Sequence, residues 1–211
     1  MKVCVSLNGV LANTPKAMVG LIARDLGIKV PEPSFSKALV GKPFPSTTHG
    51  GRVKRLGARG YDSVKSRLFD TDEFLNTPPV RGAVEAMQEL AAAGCEIRIV
   101  TDAKSVTRDR VLRWLEKHGF PEGMGITLTR KGRRPKEPHQ CACEVVVDHE
   151  IERLATIAQH AEVRLIHFVP ERGTAGSQAR PESFDPRILS LHGWREVLPT
   201  LLEQKATALA A

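Results

Sequence analysis

Apolar residues in this chain follow two rhythms. Short dense runs at residues 3–7, 95–100, 125–128, 144–148 and 163–169 have the length and β-branched content of buried strands. Between them, apolar residues recur at helical spacing. Val80, Ala83, Val84, Met87, Leu90 and Ala91 fall at i, i+3, i+4, i+7, i+10 and i+11, an amphipathic helix that Gly94 stops. Residues 15–26 predict another, with Met18, Leu21, Ile22 and Leu26 on its stripe. Thr14 is its expected N-cap, Pro15 its first-turn proline and Gly27 its end. Residues 105–118 predict a third, with Val111, Leu112, Trp114 and Leu115 on the core side and Gly119 at its end. Further helices are expected near 62–69, 150–160 and 194–206, the last bent or broken at Pro199. Residues 28–60 are dominated by turn formers, and 170–186 read as a mobile loop.

Strand and helix therefore alternate along the chain. That order predicts an α/β fold, a Rossmann-like doubly wound parallel sheet with helices on both faces. Ligands of such sheets sit at the carboxyl ends of the strands, where the strand order reverses. The stretch VCVSLNGVLANTP is ambiguous in isolation, because Asn8-Gly9 between apolar runs is a hairpin signal. A hairpin needs a second strand, yet only Val10, Leu11 and Ala12 precede the helix start at Thr14-Pro15. A strand that breaks at Gly9 into a short loop fits better and makes Asn8-Gly9 the floor of a site.

The 211 residues are 41% hydrophobic and 26% charged, a globular composition with a net charge of +7. No apolar run approaches the roughly 20 residues of a membrane span, and no signal peptide is evident, so a cytoplasmic location and no membrane partner are expected. Charge is localised. Residues 29–67 hold nine Lys or Arg against two acids, and the rest of the chain is neutral. A basic segment attracts phosphates, nucleic acid or acidic proteins, although with few aromatics it does not favour stacking on single strands. Cys4 and Cys95 read as buried thiols. His139, Cys141 and Cys143 have a CxC spacing that is unusual for zinc and read more simply as the run-in to a strand.

Polar residues follow each strand: Ser6, Asn8 and Gly9, then Thr101 and Asp102, then Arg130, Lys131 and Lys136, then Asp148 and His149. In type and order these resemble the haloacid dehalogenase-like phosphohydrolases, and within them the 5'(3')-deoxyribonucleotidase-like group. VSLNGVLAN matches the family's Asp-x-Asp-Gly motif, IVTDA its Ser/Thr motif, Lys136 its lysine and VVVDHE its acidic pair. LFDTDEFLNTPPVRGAVEAMQEL resembles the return from the family's helical cap, and LSLHGWREVLPTLL its C-terminal end. The resemblance implies a core of residues 1–13 and 78–211 with a basic cap insertion at 14–77.

The departures carry the functional expectation. The family's first Asp attacks phosphorus and its second handles protons. Ser6 and Asn8 occupy those positions, and neither is a ready nucleophile or proton carrier at neutral pH. The resemblance leaves Asp148 as the one carboxylate ligand for Mg²⁺, with His149 in place of the second acid, so no cofactor is required and any Mg²⁺ site is weak. Asn8, Gly9, Thr101 and Lys136 are the expected phosphate holders, with Lys131 an alternative to Lys136. Thr101 is a donor to phosphate or a plain strand-end threonine. Asp102 is a substitute acid or the start of a loop. The expectation is a pseudoenzyme that binds a phosphorylated small molecule, a nucleotide or a partner. The alternatives are a Mg-dependent phosphatase or 5'-nucleotidase of altered mechanism, and a nucleic-acid or acidic-protein binder acting through residues 29–67.

Overall fold

A computed structural model describes residues 1–27, 58–102, 106–129, 143–171 and 185–210. Six strands form one parallel sheet. They are β1 (Lys2–Ser6), β2 (Glu96–Asp102), β3 (Gly125–Thr129), β4 (Val145–Asp148), β5 (Arg164–Val169) and β6 (Ile188–His192), in spatial order β3-β2-β1-β4-β5-β6. The helices are α1 (Thr14–Leu26), α2 (Ala58–Asp70), α3 (Ala83–Ala92), α4 (Arg108–Lys117), α5 (Ile151–Ala158) and α6 (Gly193–Ala210), with a short 3₁₀ helix at Asp72–Asn76.

β1 lies mid-sheet because Val3, Cys4 and Val5 are all buried, so both faces of the strand are covered. It pairs with β2 from Lys2↔Glu96 to Ser6↔Val100, and with β4 from Val3↔Val145 to Val5↔Val147. The chain builds outward from β1 first toward β3 and then toward β6. The reversal falls between β1 and β4, which is where a doubly wound sheet opens a crevice.

Several expectations change in detail. The cap of α1 is Asn13, whose side chain accepts from Lys16 N–H at 3.2 Å, and Thr14 is already helical. Asparagine caps as well as threonine, and here it stands one residue earlier. Leu112 is 46% exposed, whereas Val111, Trp114 and Leu115 are buried. One residue is about 100° of helix rotation, enough to carry Leu112 off the stripe that its neighbour occupies. α2 is longer than expected, and Pro199 lies inside α6 without ending it. β6 is a sixth strand that the apolar rhythm does not reveal.

After β1 the chain does not form a hairpin. Ala12 N–H and Leu11 N–H both donate to Leu7 O, at 2.8 and 3.2 Å, and Gly9 N–H donates to Ala12 O at 2.9 Å. This tight loop is then fastened to the segment ahead of α3 by Val80 N–H to Leu11 O (2.7 Å) and Asn13 N–H to Pro78 O (2.8 Å). Two buried indoles hold the same region. Trp194 Nε1–H donates to Val10 O at 3.0 Å and Trp114 Nε1–H to Thr77 O at 2.8 Å. α1 packs on α2, and their buried Met18, Leu21, Ile22, Val64 and Leu68 join the same apolar cluster as Val3 and Val5. Arg110 of α4 donates to Phe69 O and Asp70 O, at 2.7 and 3.1 Å, satisfying carbonyls at the end of α2.

Candidate functional site

The carboxyl ends of β1, β2 and β4 bring together most of the strand-end residues singled out from sequence. Ser6 ends β1 and pairs with Val100, and Thr101 follows one residue on along β2. Asp148 ends β4, one step beyond the Val5↔Val147 pair, as Ser6 is on β1. Asn8 and Gly9 lie in the loop that leaves β1. Ser6, Thr101 and Asp148 are all at least nine-tenths buried. Lys131 and Lys136, with Arg130, His139 and Cys141, lie outside the described residues, as do residues 29–57 of the basic segment.

Gly9 has φ +74°, the left-handed region that favours glycine, and the His149 ring packs against its Cα. The loops after β1 and β4 therefore meet face to face. The Gly9 N–H expected to hold an anion is already engaged by Ala12 O. Its neighbours, the amides of Asn8 and Val10, have no backbone acceptor among the described residues. Asn8 Oδ1 and Thr101 Oγ1 are buried with no hydrogen-bond partner among the described residues. Buried polar atoms are nearly always satisfied, so such a pair at one sheet edge is what a polar ligand or ordered water would complete.

Asp148 is the charged centre of the arrangement. Its Oδ2 meets Arg153 Nη1 at 2.9 Å and its Oδ1 accepts from Glu150 N–H at 2.9 Å. The second arm of Arg153, Nη2, reaches Glu150 Oε2 at 2.8 Å. His149 Nδ1 stands 3.4 Å from Asp148 Oδ1, unaligned for a hydrogen bond. Burial pushes the Asp148 carboxyl up. The adjoining His149 imidazole, the Arg153 charge and the Glu150 amide outweigh it and hold the carboxyl below its ordinary value.

A carboxyl depressed on folding stabilises the protein at every pH above its unfolded value, here about 3.8, and that contribution is lost as pH falls through the lower folded value. Asp148→Asn removes the charge at all pH. It is expected to lower stability by about 1–3 kcal/mol near neutrality, read as the urea midpoint, with the gap to wild type closing below pH 3.8.

Sequence reading missed three members of this edge. Arg153 lies five residues after Asp148 in the first turn of α5, and an acid followed by a basic residue at that spacing was its only signal. His167 and Ser190 pair across β5 and β6, with His167 Nδ1 3.2 Å from Ser190 Oγ. Burial pushes the His167 imidazole down, against the contact with the His149 carbonyl that raises it. In register, Asp148↔His167↔Ser190 form a polar row across three strands. A shallow concavity lined by Cys143, Glu144, Glu162, Val163, Arg164 and Arg187 opens at the opposite end of the sheet, where β4 and β5 begin.

Mg²⁺, which the resemblance implies, does not fit the residues present. Ser6 and Asn8 offer neutral oxygens, and both oxygens of Asp148 already have partners. Among the described residues no group of three or more His, Cys, Asp or Glu side chains is placed to hold a metal ion.

Sheet order and helix placement together define a doubly wound α/β protein whose strand order reverses between β1 and β4. More particularly, the chain has the fold of the haloacid dehalogenase-like hydrolases. It is similar to a HAD family hydrolase from Deinococcus radiodurans R1 with bound phosphate and sodium, at 17% identity and TM-score 0.57, over 96% of this chain and 95% of that one. It is also similar to a hydrolase from Pseudomonas syringae, at 12% identity and TM-score 0.52, over 96% of this chain and 99% of that one. D,D-heptose 1,7-bisphosphate phosphatase from Burkholderia thailandensis matches at 11% identity and TM-score 0.51, over 95% of this chain and 97% of that one. No family model matches the chain, and no curated protein does. No helix among the described residues is long and apolar enough to cross a membrane.

Proposed function

We propose that this chain is a non-catalytic member of the phosphatase fold that binds a phosphorylated small molecule or nucleotide in the β1/β4 crevice, with residues 14–77 as its cap. The observation that carries this is the pairing of lost charge with unsatisfied hydrogen bonding. Ser6 and Asn8 stand where the resemblance places a nucleophile and a proton carrier, while the Thr101 hydroxyl, which can donate to an anion, is buried without a partner among the described residues. Among the described residues no hydrogen bond joins the Ser6 hydroxyl to a carboxylate or an imidazole, so none of those groups stands ready to activate it. The amides of Asn8 and Val10, with Thr101 and either Lys136 or Lys131, are the donors such a ligand would use. The phosphate bound by the Deinococcus radiodurans hydrolase supports a phosphorylated ligand by analogy of fold.

A thermal-shift screen of inorganic phosphate, nucleoside monophosphates and sugar phosphates tests the proposal, run in EDTA and in Mg²⁺. Stabilisation in EDTA is expected, reaching about 2.7 kcal/mol when ligand is at a hundred times its Kd. Phosphate release is expected to match that of Ser6→Ala. Turnover that disappears in Ser6→Ala would establish instead a phosphatase-type hydrolase of altered mechanism. Stabilisation by nucleic acid alone, falling steeply with salt, would move the binding function to the basic segment.

A further inference from the structure

The misfit between Mg²⁺ and this crevice has a positive cause in the chain itself. At the ends of β1 and β4 the one carboxylate is Asp148, and the next, Glu150, follows two residues later. The same side chain occupies both. Arg153 Nη1 lies 2.9 Å from Asp148 Oδ2, and Nη2 lies 2.8 Å from Glu150 Oε2. The remaining Asp148 oxygen accepts from Glu150 N–H. A divalent ion placed between strand end and loop would need those same oxygens.

We propose that the Arg153 guanidinium is a tethered internal cation that takes the place of the divalent ion between Asp148 and Glu150, so that the crevice is closed to Mg²⁺ and holds its ligand without one. The location of the ligand rests on the reading above; the metal half stands independently of it.

The local sequence makes this arrangement inexpensive to hold. Glu150 directly precedes α5, and Arg153 is three residues later, the spacing at which helix side chains meet. A guanidinium stays charged at every physiological pH, and its planar fork presents two parallel donors to carboxylate oxygens. Asp148 is almost wholly buried, so its charge has to be balanced, and a partner on the same chain needs no association from solution. Mg²⁺ would have to shed waters, displace both arms of Arg153 and make do with the neutral oxygens of Ser6 and Asn8. It dehydrates reluctantly and demands near-ideal octahedral geometry, so the exchange is unfavourable. One positive charge in place of two also explains how the site tolerates neutral residues at positions 6 and 8. With Asp148 neutralised by Arg153, further carboxylates there would be unbalanced.

Removing the guanidinium should therefore unmask a hard-ion site made of Asp148 and Glu150. Mn²⁺, a paramagnetic substitute for Mg²⁺, is titrated into the full chain and the free ion is followed by electron paramagnetic resonance. Wild type is expected to show no saturable site below the millimolar range. Arg153→Met is expected to gain one, tighter than any wild-type binding by roughly tenfold or more, the scale on which neighbouring groups tune metal sites. Adding Asp148→Asn should abolish it, and Arg153→Lys, which keeps the charge, should not gain it. A saturable wild-type site lost in Asp148→Asn overturns the proposal. So does an Arg153→Met protein with native circular dichroism that binds Mn²⁺ no better than wild type. If Arg153→Met does not fold, Arg153→Gln, which keeps an amide donor toward Asp148, replaces it under the same two criteria. Phosphate binding is read separately by thermal shift in EDTA. Its loss counts against the ligand alone, whereas a wild-type Mn²⁺ site at Asp148 counts against the internal cation alone.

Discussion

Trp194→Ala is expected to cost about 3–5 kcal/mol, the range for deleting a large buried aromatic. Typical domains are stable by only about 5–15 kcal/mol, so the variant should lie near the limit of folding. Trp194 is 2% exposed, and its ring centroid lies 5.5 Å from that of Phe168, at the start of the last helix. Its indole N–H is the polar clamp on Val10 O, in the loop that leaves β1. The loss therefore has two parts. Trp194→Phe retains most of the apolar contact but leaves the Val10 carbonyl without its partner, for about 1–3 kcal/mol. Urea denaturation of the two variants separates packing from hydrogen bonding. Amide exchange supplies a second readout: in Trp194→Phe, protection should fall first at Leu11 and Ala12, whose amides close the loop. If Trp194→Phe matches wild type by both measures, the indole hydrogen bond does not hold the loop.

Gly9→Ala should be the most damaging single methyl in the site. Two costs combine there. An L-residue at φ +74° costs roughly 1–2 kcal/mol. The new Cβ would also stand 2.8–3.0 Å from the His149 ring, and overpacking of that kind costs typically 1–3 kcal/mol. The sum is about 2–4 kcal/mol if the ring partly relaxes. Gly119 provides the control, because its φ is also +74° but a Cβ there would meet nothing within 4 Å. Gly119→Ala should show the backbone cost alone. The excess in Gly9→Ala should vanish in the Gly9→Ala/His149→Ala pair, a coupling that a double-mutant cycle measures directly. Equal losses for Gly9→Ala and Gly119→Ala would mean that the His149 ring yields freely and does not join the two loops.

Much of the scaffold was legible because it depends on local pattern. Buried parallel strands are dense in Val, Ile and Leu, and α3 advertises itself through spacing at 3.6 residues. β6 was not legible. It is a five-residue edge strand with Ser190 at its centre and Leu189 exposed, so neither density nor alternation marks it. Leu112 shows the converse error, an apolar residue counted into the core by proximity although helix rotation turns it outward.

The candidate site divides in the same way. Ser6, Asn8, Thr101 and Asp148 were found because each ends or follows a strand, and strand ends can be read along a line. The state of those residues could not be read there. Gly9 N–H is turned inward to Ala12 O, a consequence of how tightly residues 7–12 wind. Asp148 is balanced by Arg153, which becomes its partner only once α5 starts immediately after β4. His167 and Ser190 join through the pairing of β5 with β6.

The sequence by itself determined the alternation of strand and helix, the absence of acids at positions 6 and 8, and the concentration of positive charge in residues 29–67. These are properties of residue type and order, which no folding changes. Only the tertiary structure decided which strands are neighbours, where the strand order reverses and which charge answers Asp148. Those depend on groups distant in sequence being brought within a few ångströms, where burial makes an unpaired carboxylate costly and an adjacent guanidinium decisive.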